Sequence, residues 1–330
     1  MRMKSLITGG AGFIGSNLTE ELLNQGHQVT VLDNFSTGRR SNLPKHNKNL
    51  KIINIDISEK KSLDKYFKGI KYVFHLAALA DIVPSIEKPD IYYKSNVFGT
   101  FNVVQASMKH KVKKLIYAAS ASCYGFPKEF PTNEKSKIKP EYPYSFSKWQ
   151  GEELVMHWAK LFKLPAISLR FFNIYGPKSR TSGAYGAVFG VFLAQKIKNK
   201  PLTIVGDGKQ TRDFLHVYDL VNAMIKAAKS KKYGVIYNVA GGKEISVNKI
   251  SKLIGGKVIH IPKRPGEPDR SLGDIKKIKK DLKWLPKINI ENGVKNLLKN
   301  IDYWKQAPVW TPAKIKKATK IWFQLIKNTK

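Results

Sequence analysis

The chain of 330 residues has 42% hydrophobic residues, a formal net charge of +35 and a single cysteine. This length and apolar content predict a globular protein with a large buried core, while one cysteine excludes an intramolecular disulfide and a cysteine-based metal cluster, and we predict no metal site. The charge comes overwhelmingly from lysines spread over nearly every segment without a recognised nucleic-acid-binding motif, so we interpret it as a solvated surface and expect no nucleic-acid partner.

Short apolar runs alternate with helix-length segments in the first half of the chain. Strands are predicted at 4–8, 28–33, 50–56, 72–77, 114–119 and 166–171, and helices at 16–25 and 91–110. This alternation predicts an α/β fold with a doubly wound parallel sheet, the Rossmann fold. We expect this NAD-binding domain over 1–173, completed by part of 213–241, and a smaller C-terminal substrate-binding α/β lobe over most of 174–330.

A glycine-rich stretch, ITGGAGFIGSN, follows the first predicted strand and contains Gly9, Gly12 and Gly15. Glycines allow the backbone to approach a pyrophosphate closely, and the N-terminus of the next helix favours the anionic group. Asp33 ends the second strand, eighteen residues after Gly15, where a carboxylate accepts both hydroxyls of an adenosine ribose. An acid there repels a 2′-phosphate, so NAD is favoured over NADP, although two arginines follow closely.

Tyr144 and Lys148 are four residues apart in PYSFSKWQ, so a helix brings both side chains onto one face. A phenol is a poor base at its reference pKa of about 10, but a nearby ammonium and an oxidised nicotinamide both favour the phenolate. We therefore predict that Tyr144 accepts a proton from the substrate and that Lys148 holds the nicotinamide ribose.

The C-terminal segment 308–330 is predicted to be a basic helical tail. We expect it to pack on the protein body or on a subunit partner through one helical face. That face contains Ile315, Ala318, Trp322 and Leu325. The chain has no long apolar segment, and its first strand begins too early to leave room for a signal peptide, so we expect a cytoplasmic protein with no membrane partner.

Together these motifs resemble the extended short-chain dehydrogenase/reductase superfamily, and most closely its nucleotide-sugar 4-epimerases of the UDP-glucose and UDP-N-acetylglucosamine type. The resemblance runs from about residue 4 to residue 286, through TGGAGFIGSN, LDNFSTG, HLAA, SNVFGT, YAASASCYG, PYSFSK, LRFFNIYGP, VGDGKQTRDFLHVYDL and RPGEPDRS. It implies permanently bound NAD, a UDP-sugar substrate and a homodimer built on the helices around 91–110 and 144–162. Trp149, Val155 and Trp158 are expected to supply apolar surface to that dimer.

The resemblance also assigns site residues by motif. Catalytic roles are expected for Ser120, Tyr144 and Lys148. Cofactor contacts are expected for Gly9, Gly12, Phe13, Ile14, Gly15, Asp33, Asn34, Ser36, Thr37, Gly38, Asp56, Ile57, Leu76, Ala77, Ala78, Asn96, Tyr144, Lys148 and Phe171. Substrate contacts are expected for Ser120, Ser122, Asn173, Val188, Thr203, Val205, Arg212, Arg264, Glu267 and Ser271. Among these, the two arginines are assigned to the diphosphate, Glu267 to the uridine ribose, and Thr203 and Val205 to the uracil.

The stretch YAASASCYG carries hydroxyls and a thiol but no carboxylate. Related sugar dehydratases hold an acid pair, and UDP-glucuronate decarboxylases a glutamate, at the places occupied here by Ala121 and Ser122. Elimination of water needs a general acid and a base beyond the tyrosine. The resemblance therefore implies oxidation and reduction at one carbon, as in a UDP-sugar 4-epimerase that passes through a transient 4-keto intermediate.

Ser271 lies where the resembling epimerases border the 2-substituent of the sugar, and a small residue there accompanies acceptance of N-acetylated sugars. Two alternatives stay open. One is another nucleotide-sugar enzyme on the same scaffold, such as a UDP-glucuronate epimerase or a reductase, and the other is a non-catalytic NAD- or RNA-binding module.

Overall fold

A seven-stranded parallel sheet forms the centre of the computed structural model, which describes residues 3–59, 63–179, 188–263 and 268–327. In spatial order the strands are β3 (Leu50–Asn54), β2 (Gln28–Asp33), β1 (Lys4–Thr8), β4 (Tyr72–His75), β5 (Lys114–Ser120), β6 (Ala166–Phe171) and β10 (Val235–Val239). The chain runs outward from β1 in one direction to β3 and then in the other from β4. Such a switch in strand order leaves a crevice at the carboxyl ends of the strands.

The predicted doubly wound fold class is confirmed, and each of its six predicted strands is present with bounds that differ by two residues at most. The seventh strand, β10, joins the edge next to β6 through parallel pairing from Val235 to Val239. It comes from within the segment 213–241, far beyond the other strands in sequence.

Helices cover both faces of this sheet. One face carries α1 (Phe13–Asn24), α7 (Val217–Lys229) and α9 (Lys276–Leu282), and the other carries α4 (Gly99–Lys109) and α5 (Pro143–Leu161). Leu6 and Ile7 are neighbours in β1 but belong to the two different core clusters, because successive side chains of a strand point to opposite faces. The sheet is therefore buried on both sides.

The predicted helix 91–110 is interrupted in the structure. A short helix α2 (Ile82–Glu87) precedes α3 (Pro89–Tyr93), and a π-helical turn (Lys94–Phe98) then connects α3 to α4. Turns of this kind appear mostly at functional sites, and this one borders the crevice described below.

A smaller lobe follows β6. It contains a three-stranded sheet of β11 (Glu244–Ser246), β9 (Thr211–His216) and β7 (Asn173–Tyr175), and a pair formed by β12 (Val258–Ile261) and β8 (Leu202–Val205). Around them lie α6 (Val188–Ile197), α8 (Val247–Ile254) and α10 (Ile290–Lys299). A third core cluster, which includes Phe192, Leu202, Ile250 and Trp304, holds these elements together.

The C-terminal tail forms α11 (Pro312–Ala318) and α12 (Lys320–Lys327) and folds back onto the large domain, where α12 packs against α2. Of the predicted apolar face, the side chains of Ile315 and Trp322 are buried against the rest of the protein and Ala318 is partly buried, while the side chain of Leu325 lies outside the described part of the structure. Among the described residues, no helix combines the length and the apolar character needed to cross a membrane.

Candidate active site

A cavity of about 360 Å³ lies at the carboxyl ends of the central strands. Most residues that the sequence assigns to the cofactor line it, namely Gly9, Gly12, Phe13, Ile14, Gly15, Asp33, Asn34, Ser36, Thr37, Asp56, Ile57, Leu76, Ala77, Ala78, Tyr144, Lys148 and Phe171. Gly38 and Asn96 are not part of this wall. We call this space the cofactor cavity.

The glycine loop between β1 and α1 leaves room for a ligand only because it has no side chains. Gly9 has a φ of +70°, and a Cβ atom there would lie 2.7 Å from the backbone nitrogen of Ala77. A Cβ atom at Gly15 would overlap the carbonyl oxygen of Gly9. The loop is thus a tight cradle at the start of a helix, which fits a pyrophosphate.

Asp33 closes the cavity at the end of β2. Its Oδ2 accepts a hydrogen bond of 2.9 Å from the backbone of Ala11, and its Oδ1 accepts one of 2.8 Å from the backbone of Phe35. Burial raises the pKa of this carboxyl, and the two hydrogen bonds oppose the rise. Gly38 packs against Ala11 and Asp33 so tightly that a side chain would not fit, so it shapes the Asp33 loop from behind.

Asp56 is held in place at the neighbouring strand end. Its Oδ1 accepts hydrogen bonds from the backbone and the hydroxyl of Ser58, and its Oδ2 accepts one from Asn34. Burial raises the pKa of Asp56, but these hydrogen bonds outweigh it, so that the pKa lies below its usual value.

Asn96 departs from the sequence prediction of a cofactor contact. Its side chain is completely buried behind the cavity wall. The amide oxygen accepts a hydrogen bond from the backbone of Leu79, and the amide nitrogen donates to the carbonyl of Leu79 and to Ser147 Oγ. Because both N–H groups of the amide donate hydrogen bonds within the protein, Asn96 positions the Leu79 loop against α5. Ser95, beside it in the π-helical turn, lines the cavity instead.

A second cavity, of about 290 Å³, adjoins the first, and we call it the substrate cavity. Tyr144 and Phe171 line both cavities. The predicted substrate residues in its wall are Ser120, Ser122, Asn173, Arg212 and Ser271. Tyr144 therefore lies at the junction between the two spaces, where a group transferred from one ligand to the other would pass.

Three hydroxyl groups meet at this junction. Tyr144 Oη donates a 3.3 Å hydrogen bond to Ser120 Oγ, and Ser120 Oγ lies 2.8 Å from Ser122 Oγ. Burial raises the pKa of Tyr144, and its hydrogen bonds with the two serines lower it. Burial also lowers the pKa of Lys148 to about 7, and its Nζ lies 4.4 Å from the centre of the Tyr117 ring.

A buried network supports this junction, and sequence motifs gave no sign of it. Glu152, one helical turn after Lys148 in α5, forms an ion pair with Arg170 of β6. Glu152 also accepts a hydrogen bond of 2.7 Å from Ser168, and Arg170 donates one of 2.8 Å to Tyr124 Oη. The network thus ties α5 to the turn that carries Ser122.

Several predicted substrate residues lie elsewhere. Val188 and Thr203 line neither cavity; Thr203 is buried, where its Oγ1 accepts a hydrogen bond from Gln195. Val205 lines a third cavity of about 500 Å³, which shares Pro268 and Arg270 with the substrate cavity. Arg264 and Glu267 lie outside the described residues.

Residues to which the sequence assigned no role also line both cavities. Lys178 and Tyr303 line the cofactor cavity, while Glu141, Arg270 and Trp322 line the substrate cavity. Tyr303 and Trp322 come from the C-terminal region, where no family pattern identified them. Within the described ranges, no group of three or more His, Cys, Asp or Glu side chains is placed to hold a metal ion.

Comparisons with known proteins agree with this geometry. The sequence model of the NAD dependent epimerase/dehydratase family matches residues 5–240. A relative from Methanocaldococcus jannaschii, a putative UDP-glucose 4-epimerase, is 36% identical over 301 residues that cover 89% of this chain and 96% of the relative. A UDP-N-acetyl-alpha-D-glucosaminuronate decarboxylase from Bacillus cytotoxicus is 34% identical, with 90% of this chain and 97% of that protein covered.

A solved structure is also similar over nearly the whole chain. It is the UDP-N-acetylglucosamine 4-epimerase of Methanobrevibacter ruminantium M1 in complex with UDP-N-acetylmuramic acid, with a TM-score of 0.85, 31% identity, and coverage of 91% of this chain and 100% of that chain. The family match extends over more than half of the sequence, and the cofactor cavity fits a dinucleotide. The chain therefore belongs to the NAD-dependent epimerase/dehydratase family, and its cofactor is NAD.

Proposed function

We propose that this enzyme is a UDP-sugar 4-epimerase that inverts the C4 hydroxyl through a transient 4-keto intermediate. The observation that carries the proposal is the position of Tyr144, which borders both cavities and hydrogen-bonds to Ser120. A single proton-transferring group between a hydride acceptor and a sugar is sufficient for reversible oxidation of one carbon.

The cofactor and three side chains each have a separate role in this reaction. NAD bound in the cofactor cavity supplies a hydride acceptor and, when oxidised, a positive charge. Tyr144 accepts the proton of the sugar hydroxyl, and Ser120 holds the oxygen and relays that proton. Lys148 binds the nicotinamide ribose, and in its charged form it favours the phenolate of Tyr144. After the ketone turns over, the hydride would return to the opposite face of C4, and Tyr144 returns the proton to the oxygen.

Two positions in the wall of the substrate cavity favour this reaction over elimination or decarboxylation. Ala121 and Ser122 line the cavity without offering a carboxylate. A dehydratase needs a further acid and base there. The decarboxylase among the relatives therefore indicates a shared scaffold, whereas the residues at these two positions support epimerisation.

The remaining substrate contacts are proposed from the family resemblance, together with the cavity walls where the structure describes the residue. Arg212 in the cavity wall and Arg264 would bind the diphosphate, since a planar guanidinium pairs well with its oxygens. Glu267 would meet the uridine ribose, and Val205 would border the uracil from the adjoining third cavity. Asn173 would contact the sugar or the diphosphate beside Ser271, because its Nδ2 lies 3.4 Å from Ser271 Oγ.

Acceptance of N-acetylated sugars is the finer part of the proposal. Ser271 lines the substrate cavity, and a serine leaves free the volume that an aromatic ring would fill. An open pocket admits both kinds of sugar, whereas a filled one excludes the acetamide. The solved UDP-N-acetylglucosamine 4-epimerase supports the same expectation.

Acidic sugars are the main competing substrates, and Glu141 argues against them. This glutamate lines the substrate cavity, and its partner in the ion pair, Lys139, lies outside the wall with its side chain 70% exposed. A carboxylate in a partly enclosed cavity repels a second carboxylate. Arg212 and Arg270 lie in the same wall, so Glu141 favours neutral sugars where the sugar is on its side of the cavity and the arginines bind the diphosphate.

We also propose a homodimer, as in the resembling family. The helices expected at the interface carry the exposed side chains Ile91, Phe98, Phe146, Leu161 and Phe162. A cluster of this kind on one monomer surface marks an interaction site. Val155, by contrast, is completely buried within its own subunit and contributes nothing to such an interface. A monomer by light scattering at micromolar concentration would contradict the dimer.

The decisive experiment is to incubate the purified protein with single UDP-sugars without added cofactor and to identify the products. UDP-glucose and UDP-galactose, and their N-acetylated counterparts, should interconvert without net formation of NADH. Net NADH, a deoxy-keto sugar or released carbon dioxide would contradict the proposal.

A further inference from the structure

Among the described side chains of the C-terminal tail, one reaches the substrate cavity. Trp322 of α12 lines this cavity together with Ser120 and Tyr144, although it lies near the other end of the chain. Its side chain is only 5% exposed, so it is fixed in the wall rather than free in solvent. The tail is thus part of the space that receives the substrate.

Two contacts orient Trp322 against the start of α5. Its Nε1 donates a hydrogen bond of 3.1 Å to Tyr142 Oη, and the two rings meet edge to face with their centres 5.8 Å apart. Tyr142 precedes α5 as its N-cap, two residues before Tyr144. The indole therefore lines the cavity beside the N-terminal end of α5, the helix that carries Tyr144.

Two other residues of the tail are buried away from the substrate cavity. Ile315 and Thr319 are buried, and Thr319 Oγ1 donates a hydrogen bond to the carbonyl of Ile315. Neither side chain lines the substrate cavity. The tail thus offers one buried residue that touches the cavity and others that only anchor it.

We propose that Trp322 is a specificity-determining residue that closes the sugar end of the substrate cavity and contacts the sugar ring. The inference rests on the proposed function, because it requires that the cavity holds a UDP-sugar. An indole gives a large rigid contact surface and excludes water from the reacting centre. Since this wall is already formed and touches no reacting atom, it stabilises the bound sugar before and during reaction alike, and its loss acts on KM.

The test compares tail variants of the full-length protein. Trp322→Ala should raise KM for UDP-galactose about tenfold or more and change kcat by less than about threefold. Trp322→Phe keeps an aromatic wall and removes the hydrogen bond to Tyr142, so its KM should stay near that of the wild type. Binding of UDP-sugar should also change the tryptophan fluorescence of the wild type, and most of that change should disappear in Trp322→Phe.

Ile315→Ala is the matched control, because it removes buried contacts of α11 while the contacts of Trp322 with Tyr142 and the wall of the cavity stay in place. It should leave KM within about twofold of the wild type. Equal rises of KM in Trp322→Ala and Ile315→Ala, or a Trp322→Phe variant that behaves like Trp322→Ala, would overturn the inference while wild-type turnover upholds the proposed function. A wild type that neither binds nor converts any UDP-sugar would overturn both.

Discussion

The cofactor cavity and the substrate cavity are assembled from the chain in different ways. Nearly all described residues of the cofactor wall lie between Gly9 and Phe171, at strand ends and in the turns that follow, and Lys178 and Tyr303 are the additions from farther along. The substrate wall combines segments spread from Ile82 to Trp322. The first cavity is therefore built by one sheet, and the second by contacts between lobes.

Because of this difference, substitutions in the two cavity walls are expected to have different effects. The carboxyl ends of parallel strands meet at one edge, so residues of the cofactor wall act as a prearranged group. The substrate wall depends on how the smaller lobe and the tail sit against the sheet. Substitutions of residues that line both cavities should therefore affect the binding or reaction of both ligands. Substitutions of residues that line only one cavity should affect only the ligand bound there.

The largest effect is expected for Tyr144→Phe at the junction. Loss of the proton-transferring hydroxyl should lower kcat by about 10²- to 10⁴-fold, the usual contribution of a general acid–base group. NAD should stay bound, because the other cofactor contacts are intact. Product analysis and spectroscopic measurement of bound NAD check both parts, and a variant with wild-type turnover would remove Tyr144 from the mechanism.

A similarly large effect on stability is expected for Glu152→Gln, which leaves the buried Arg170 without a charged partner. Breaking a buried ion pair on one side costs about 3–5 kcal/mol of unfolding free energy. Glu153→Gln, at the exposed neighbouring position, is the control and should change little. Urea unfolding of both variants makes the comparison, and equal stabilities would show that the network does not support the junction.

The sequence predicted the large sheet and the cofactor wall well because both depend on local patterns. Apolar runs define strands, and turns after them carry short motifs such as the glycine loop and Asp33. The sequence could not show that Asn96 lies behind the wall, since a polar residue in an apolar helix has the same pattern whether it faces a ligand or holds a loop. Thr203 and Trp322 could not be placed from sequence, because strand facing in the small lobe and docking of the tail are set by long-range packing.

The pH dependence of stability should reveal the buried lysine of the cofactor wall. Burial lowers the pKa of Lys148 to about 7, whereas an unfolded lysine has a pKa of about 10.4. The charged side chain therefore destabilises the fold fully below pH about 7, and this cost disappears as the pH rises toward the unfolded value.

Lys148→Met should accordingly stabilise the cofactor-free protein most at neutral and lower pH. Its advantage should shrink by about 1.4 kcal/mol per pH unit above pH about 7. Lys160→Met, at an exposed position of the same helix, is the control. Urea unfolding between pH 6.5 and 9 measures the trend, and a constant difference between Lys148→Met and wild type would contradict it.

In the substrate wall, Ser271→Tyr should change the choice of sugar. The added ring should fill the space next to Asn173 and lower kcat/KM for the N-acetylated UDP-sugars by about 10- to 100-fold, or about 1–3 kcal/mol. The kcat/KM for UDP-glucose and UDP-galactose should stay near that of the wild type. Ser271→Ala, which adds no bulk, should accept both the N-acetylated sugars and these two. If Ser271→Tyr lowers kcat/KM equally for the N-acetylated and the non-acetylated UDP-sugars, this position does not select the sugar.

The smallest effect is expected for a substitution of Tyr303, which lines the cofactor cavity although it lies far along the chain from the other residues of that wall. Its Oη donates a hydrogen bond of 3.0 Å to Asn42 Oδ1, and Asn42 in turn donates one of 2.9 Å to the carbonyl of Ala11 in the glycine loop. This chain of contacts joins the C-terminal region to the pyrophosphate cradle. Because the hydrogen bond is remote from the reacting atoms, its loss should affect retention of NAD rather than kcat.

Tyr303→Phe should therefore release NAD about fivefold faster, as expected for one hydrogen bond worth about 1 kcal/mol. The NAD content after timed gel filtration measures this rate, and kcat with saturating NAD should equal that of the wild type. Tyr233→Phe, at an exposed tyrosine outside both cavities, is the control. If Tyr303→Phe retains NAD as the wild type does, then binding of NAD depends on the sheet and its motifs and not on the C-terminal region. The two cavities would then differ more strongly, because the substrate cavity includes a side chain of the tail.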